Sequence, residues 1–260
     1  MLTMEIVELI SEERLATYEQ ITAGRKQAIA LHNQTLQLGS SLMSMIAVFE
    51  LALRNATNSH LINVFGEADW LLPEYTSVPL HNPDKAKVSA AQSNAQKAAY
   101  AKLNGEQKRQ LDTLAFPKGV PDQISRKKKV GRRRTTIPIS HGQVLAQTTF
   151  YFWKRLYSSD YADTLWKPAL KRVFPNKSLQ RGQISDALEH IYSTRNRVAH
   201  HEPVYGIRLE NAMASLEFLR DTFDTREVGA DSEYRQFSKV HHLRLQMDYE
   251  AFKNAWDTLT

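Results

Sequence analysis

The chain of 260 residues is 42% hydrophobic and 24% charged, which is apolar enough for one large or two small cores and excludes a disordered chain. Its 34 basic against 28 acidic residues give a formal charge of +6 and a pI near 9.4, compatible with a polyanionic partner without requiring one. The absence of cysteine excludes disulfides and thiolate metal sites, the N-terminal MLTMEIVELI is acidic where a signal peptide is basic, and no stretch reads as the ~20 apolar residues of a membrane span. The expected location is therefore cytoplasmic, with no membrane partner.

Met4 to Ile21 carries Ile6, Leu9, Ile10 and Leu15 at helical spacing, and Gly24 interrupts the pattern before a second helix. From Ile29 to Phe65 the apolar positions recur with helical period through Leu38, Leu42, Met45, Phe49 and Leu53, with Gly39 as the weak point. This is the longest predicted helix, and Glu50, Arg54, Asn55 and Asn58 lie beside its apolar line. Glu50 and Arg54 have the i, i+4 order of a surface ion pair, a small effect of about 0.2–0.5 kcal/mol. Gly66 to Pro83, with Trp70, Pro73 and Pro79, reads as an irregular connection. Lys85 to Leu103 is helical by composition with a weak apolar face, and a short helix from Glu106 ends at Phe116, before Pro117.

Ser125 to Arg134 reads SRKKKVGRRR, seven cations in the nine positions after the serine: Arg126, Lys127, Lys128, Lys129, Arg132, Arg133 and Arg134. Like charges this dense repel, so the expectation is a mobile loop, either merely solvated or an arm contacting phosphates. The stretch 73–139 then reads as an insertion within a single 1–260 domain, with the basic loop at 125–134. Ser140 is placed to cap a helix carrying Val144, Phe152, Trp153 and Leu156, whose aromatics read mainly as core. Tyr161 to Phe174 is a further helix interrupted at Pro168, and Leu209 to Phe223 another. From Glu227 to Thr260 apolar and polar residues alternate at Val240, Leu243, Leu245 and Met247, leaving room for a short strand before a final helix with Phe252 and Trp256.

The most informative stretch is Ile184 to Tyr205, ISDALEHIYSTRNRVAHHEPVY. Ile184, Leu188 and Ile191 form an amphipathic stripe, and the next position on it is Arg195. A guanidinium on the core-facing line must lose water, which is costly unless an acceptor or an opposite charge meets it. Asn196, His200, His201 and Glu202 follow at once, and Pro203 predicts a helix end at Glu202. Five residues on a straight helix separate Arg195 from His200 by roughly 140°. They converge only if the helix ends or bends near Ala199, or if a second subunit completes the site. The set lacks an activated serine, any cysteine and closed metal-site spacing. It fits phosphodiester chemistry, with a histidine moving a proton at the ribose oxygens and an arginine holding the charge that develops on the phosphate.

Arg195-Asn196-Arg197-Val198-Ala199-His200 resembles the R-x4-6-H motif of HEPN domains. The wider context, from His141-Gly142-Gln143-Val144 through Phe152-Trp153, Leu165-Trp166 and Val173-Phe174-Pro175 to RNRVAHHEPVY, is similar to the bacterial abortive-infection (Abi-like) branch. The resemblance implies an all-α, HEPN-like helical bundle, here with an insertion carrying the basic segment. It also implies a homodimer and an endoribonuclease used as a toxin or in phage defence. Carried over by position, Arg195 and His200 match the ends of the motif, Asn196 the polar residue after the arginine, and His201 and Glu202 the Abi-like extension. Glu50, Arg54 and Asn55 are expected to face this set across the core. A tyrosine-modified form of the motif is not supported, because Tyr205 lies too far along.

Three readings follow. In the first, RNA is cut without metal or other cofactor by its own 2′-hydroxyl, with His200 as general acid or base, Arg195 stabilising the transition state, Asn196 and His201 assisting and Glu202 orienting. An antitoxin or a regulatory RNA or protein is a further partner this reading allows. The second is a non-catalytic module binding RNA or a protein. The third, a metal site of His200, His201 and Glu202, is disfavoured because neighbouring histidines on a helix do not easily share an ion.

Overall fold

A computed structural model describes residues 9–72 and 76–260. The described residues contain helices and no strand, so the chain is all-α. The helices are α1 (Glu12–Glu19), α2 (Arg25–Phe65), α3 (Asn82–Lys102), α4 (Gly105–Gln110), α5 (Asp112–Ala115), α6 (Arg126–Thr135), α7 (His141–Leu145), α8 (Phe150–Arg155), α9 (Arg181–Ala199), α10 (Gly206–Thr222) and α11 (Glu233–Leu259). The part of the predicted first helix from Met4 to Glu8, and Pro73 in the connection after α2, lie outside the described residues.

The axis of the fold is α2, 41 residues closed at its C-terminus by Gly66 in the left-handed region at φ 72°, a conformation cheap only for glycine. Its line Leu31, Leu38, Leu42, Met45, Phe49, Leu53 and Leu61 is buried; each such side chain contributes roughly 1.5–3 kcal/mol relative to exposure. Against it pack α11 along much of its length, then α1, α9 and α8. By length and composition α2 could also cross a membrane, contrary to the expectation that no stretch would. Interspersed Ser, Ala and Gly broke the apolar run as read from sequence, and half of the most apolar window is buried inside the fold. Gly39 has a structural use. A β-carbon there would lie 3.1 Å from Val198 Cγ1, so the glycine lets α9 approach α2 closely just before the RNRVAHH motif ends.

Aromatic side chains fill the space between α2, α8 and α10, as Phe49, Phe152, Trp153, Tyr157, Phe174 and Phe223 are all buried. Their polar atoms are satisfied locally. Trp153 donates to Thr148 Oγ1 at 2.8 Å, Tyr157 shares a 2.7 Å hydrogen bond with Thr57, and Asn58 Oδ1 accepts from Trp70 Nε1 at 2.9 Å while His141 Nε2 lies 2.9 Å away. Asn58 therefore organises the core. The single helix expected around Val144 to Leu156 is two short ones, α7 and α8, because the chain turns at Gln147–Thr149. Ser140 caps α7 through a reciprocal capping box with Gln143. Tyr161 to Phe174 is built of 3-10 and π turns.

Two expectations are corrected. The C-terminal region is one continuous helix of 27 residues, with Ser232 as its cap. Its buried line includes Ser238, His242 and Asp248 among the apolar residues, and these paired polar groups hid the helical period. His242 meets Glu217 at 2.6 Å; Asp248 accepts from Ser41, from Gln37 at 2.8 Å and from Arg244 at 2.9 Å. The basic stretch 125–134 is likewise a helix rather than a loop. Ser125 caps it, and Asp112 accepts from Arg133 at 2.6 and 2.5 Å and pairs with Lys129 at 3.3 Å, which offsets part of the repulsion that argued against order.

Candidate functional site

Helix α9 ends at Ala199, three residues before the point Pro203 indicated. The end is a Schellman motif: Glu202 N–H donates to Arg197 O at 2.8 Å and His201 N–H to Val198 O at 2.9 Å. His201 occupies the left-handed position at φ 54°, where glycine is usual and a side chain costs roughly 1 kcal/mol. His200 is the C-cap residue at φ −94°, ψ 10°, and is exposed. The helix stops near Ala199, while the His200 amide still makes the regular helical bond to Asn196 O at 3.1 Å.

Arg195 is half-buried, and its Nη1 donates to Asn196 Oδ1 at 3.4 Å. Across from it stands Glu50 of α2. Burial pushes the Glu50 carboxyl above its ordinary range; the charges of Arg195 and Arg54 and the backbone amide of Phe150 pull it partly back. The carboxylate therefore lies in the joint field of two guanidiniums and the first amide of α8. Of the α2 patch, Glu50 lies within the field of Arg195, whereas Arg54 acts on Glu50 from the same helix. Asn55 is exposed and accepts from Arg54 Nε at 3.4 Å.

The remaining motif residues divide. Glu202 forms an ion pair with Arg197 at 3.0 Å, and Arg197 Nε also donates to Pro203 O at 3.4 Å, so Glu202 ties down the chain leaving α9 rather than orienting either histidine. His200 and His201 hold no side-chain hydrogen bond among the described residues, and none joins His200 to Arg195. A mainly apolar cavity of about 400 Å³ lies on the other flank, lined by Thr35, Gly39, Val198, His201 and Glu202 among others. Sequence reasoning missed the Arg197–Glu202 clasp and the strained His201; the early Glu-Pro pair was the available signal. No group of three or more His, Cys, Asp or Glu able to hold a metal occurs among the described residues.

On α6 the seven predicted RNA-contacting residues separate by environment. Arg126, Lys127, Lys128 and Arg132 are exposed. Lys129 and Arg133 are engaged by Asp112, and Arg134 Nη2 donates to Ser93 O at 3.4 Å. Charge is strongly partitioned in the chain: residues 85–139 hold 14 cations and three carboxylates, a net +11, so the +6 of the whole leaves −5 for the rest. A four-cation face meeting single-stranded nucleic acid would give a salt slope of about −3 on a log–log scale.

Comparison with known proteins returns no matching family model, no matching curated protein and no matching solved structure.

Proposed function

We propose that the chain is a metal-independent endoribonuclease that cleaves RNA by attack of the substrate's 2′-hydroxyl on the adjacent phosphate, leaving a cyclic phosphate. The observation that carries this reading is the end of α9, where an exposed His200 caps the helix five residues beyond a half-buried Arg195 whose charge acts on the Glu50 carboxyl of α2. An exposed imidazole with no side-chain partner among the described residues is a group that can move a proton at the ribose oxygens. Arg195, restrained by Asn196 and by the field of Glu50, is the group for the developing phosphorane charge. Asn196 and His201 assist, and the exposed cations of α6 supply affinity for the RNA backbone. The resemblance of RNRVAHHEPVY to the Abi-like HEPN motif supports the same chemistry, a homodimer with the two α9 ends facing one cleft, cytoplasmic action, and a toxin or phage-defence role held in check by an antitoxin or regulatory partner.

The test is a gel assay of purified protein on mixed cellular RNA in EDTA. Wild type is expected to produce fragments with cyclic-phosphate ends, and His200→Ala and Arg195→Ala to abolish them. One observation favours a second reading, a non-catalytic RNA-binding module: His200 shares no hydrogen bond with Arg195. RNA binding without fragments in wild type and His200→Ala alike would establish that alternative.

A further inference from the structure

One helical turn before Arg195 lies a cluster that the ribonuclease chemistry does not use. Tyr151 of α8 and Tyr192 of α9 are both half-buried, with ring centroids 5.7 Å apart at 62°. Phe150 backs Tyr192 at 6.1 Å. Lys87 reaches in from α3 with its ammonium 4.4 Å from the Tyr151 centroid, and Lys154 lies 4.8 Å from that of Tyr192 and 5.4 Å from that of Tyr151. Lys154 also pairs with Glu189, whose side chain is mostly solvated. Lys87 is half-buried and meets no carboxylate among the described residues. Three helices thus bring two aromatic faces and two ammonium groups to one point. A core tyrosine pair would not require this, because ring packing needs no cations.

Position gives the cluster its meaning. Tyr192 is three residues before Arg195 on the same face of α9, and Tyr151 follows Phe150, whose amide faces Glu50. On the far side, Lys87 belongs to α3, and α3 packs on the basic helix α6. The cluster therefore joins the α9 face that carries Arg195 to the +11 segment. Aromatic faces flanked by cations are what unpaired bases and their phosphates require; a duplex keeps its bases stacked inside and offers none.

We propose that Tyr151, Tyr192, Lys87 and Lys154 form a subsite for a nucleotide of single-stranded RNA one helical turn before Arg195, with the base against the tyrosines and the phosphate between the two ammonium groups. The identity of the strand as RNA rests on the ribonuclease reading. The test is fluorescence anisotropy with a labelled single-stranded 2′-O-methyl oligoribonucleotide and a blunt RNA duplex. Replacing both tyrosines by leucine keeps apolar bulk but removes the aromatic faces. It is expected to weaken single-strand binding about tenfold or more and duplex binding less than twofold, whereas phenylalanine at both positions retains affinity. Lys87→Met is expected to reduce the salt slope by about 0.7, and it carries the test alone if the leucine pair does not fold. Single-strand affinity within twofold of wild type in the leucine variant, equal losses for strand and duplex, or an unchanged slope in Lys87→Met overturns the subsite. The probe lacks the attacking hydroxyl, so binding is read whether or not His200 cuts. Tyrosine-dependent binding without cleavage of ordinary RNA removes only the nuclease reading, and cleavage with tyrosine-independent binding removes only this subsite.

Discussion

Asp248 fastens α11 to α2, and its removal has a calculable cost. Its side chain is 5% exposed and accepts hydrogen bonds from Ser41, itself 6% exposed, from Gln37 and from Arg244. A hydrogen bond to a charged group contributes about 1.5–3 kcal/mol. The Ser41 bond counts in full because neither partner can turn to water. Gln37 is exposed and recovers part of its bond from solvent, and Arg244, 57% exposed, adds no more than about 1 kcal/mol. Asp248→Ala should therefore cost about 2–4 kcal/mol, and Asp248→Asn, which keeps the volume and one acceptor, about 1–2 kcal/mol. Burial alone would raise this carboxyl, but the bonds from Ser41, Gln37 and Arg244 outweigh it and hold it below the ordinary 3.8. A depressed carboxyl contributes stability that is present above its unfolded value and is lost as pH falls through the folded one. The gap between wild type and Asp248→Asn should thus be full near neutrality and shrink below about pH 4. Guanidinium unfolding followed by far-UV circular dichroism measures both. A cost for Asp248→Ala under about 0.5 kcal/mol, or a gap that ignores pH, would refute the reasoning.

Three further outcomes are expected. Burial raises Glu50, so the native state holds this proton to higher pH than the unfolded chain; stability from the protonated form is present below the ordinary 4.5 and is lost as pH rises through the raised value. Glu50→Gln should match or exceed wild-type stability at neutral pH and flatten that part of the pH–stability curve, while cleavage falls at least about tenfold if the carboxylate positions Arg195. His201→Gly relieves the left-handed strain at φ 54° and should gain about 0.5–1 kcal/mol in denaturant unfolding, whereas His201→Ala keeps the β-carbon and gains nothing from the backbone. Asp112→Ala deprives Arg133 and Lys129 of their shared acceptor, so hydrogen exchange across Arg126–Thr135 should quicken several-fold with the melting temperature nearly unmoved; unchanged exchange would show that α6 stands without this clasp.

The long helix α2 was legible because thirty-odd residues repeat one apolar period with no strong breaker. The confrontation of Glu50 with Arg195 was also legible, since a guanidinium on a core-facing line demands a counter-charge and α2 offered one beside its own apolar line. What stayed hidden depended on contacts remote in sequence. Helix α11 reads as irregular because its buried face includes Ser238, His242 and Asp248; Asp248 is met by Ser41 and Gln37 of α2 and His242 by Glu217 of α10, partners far off in sequence. Helix α6 reads as a repelling loop until Asp112, from a separate short helix, pairs with both Lys129 and Arg133. The early close of α9 is a local event, but a histidine in a glycine conformation is held there by the clasp of Arg197 and Glu202, which a residue pattern does not announce.

The partition of charge has a bearing beyond binding sites. With +11 gathered in residues 85–139 and −5 over the rest of the sequence, a polyanion is drawn toward the basic segment before contact. The same asymmetry lets the basic segment of one copy attract the net-negative remainder of another in dilute buffer, where the Debye length reaches about 30 Å at 0.01 M salt, and frees them near physiological ionic strength, where it shrinks to about 8 Å. Light scattering across that range should see association that grows as salt is withdrawn, and it should vanish when the α6 cations are replaced by glutamine.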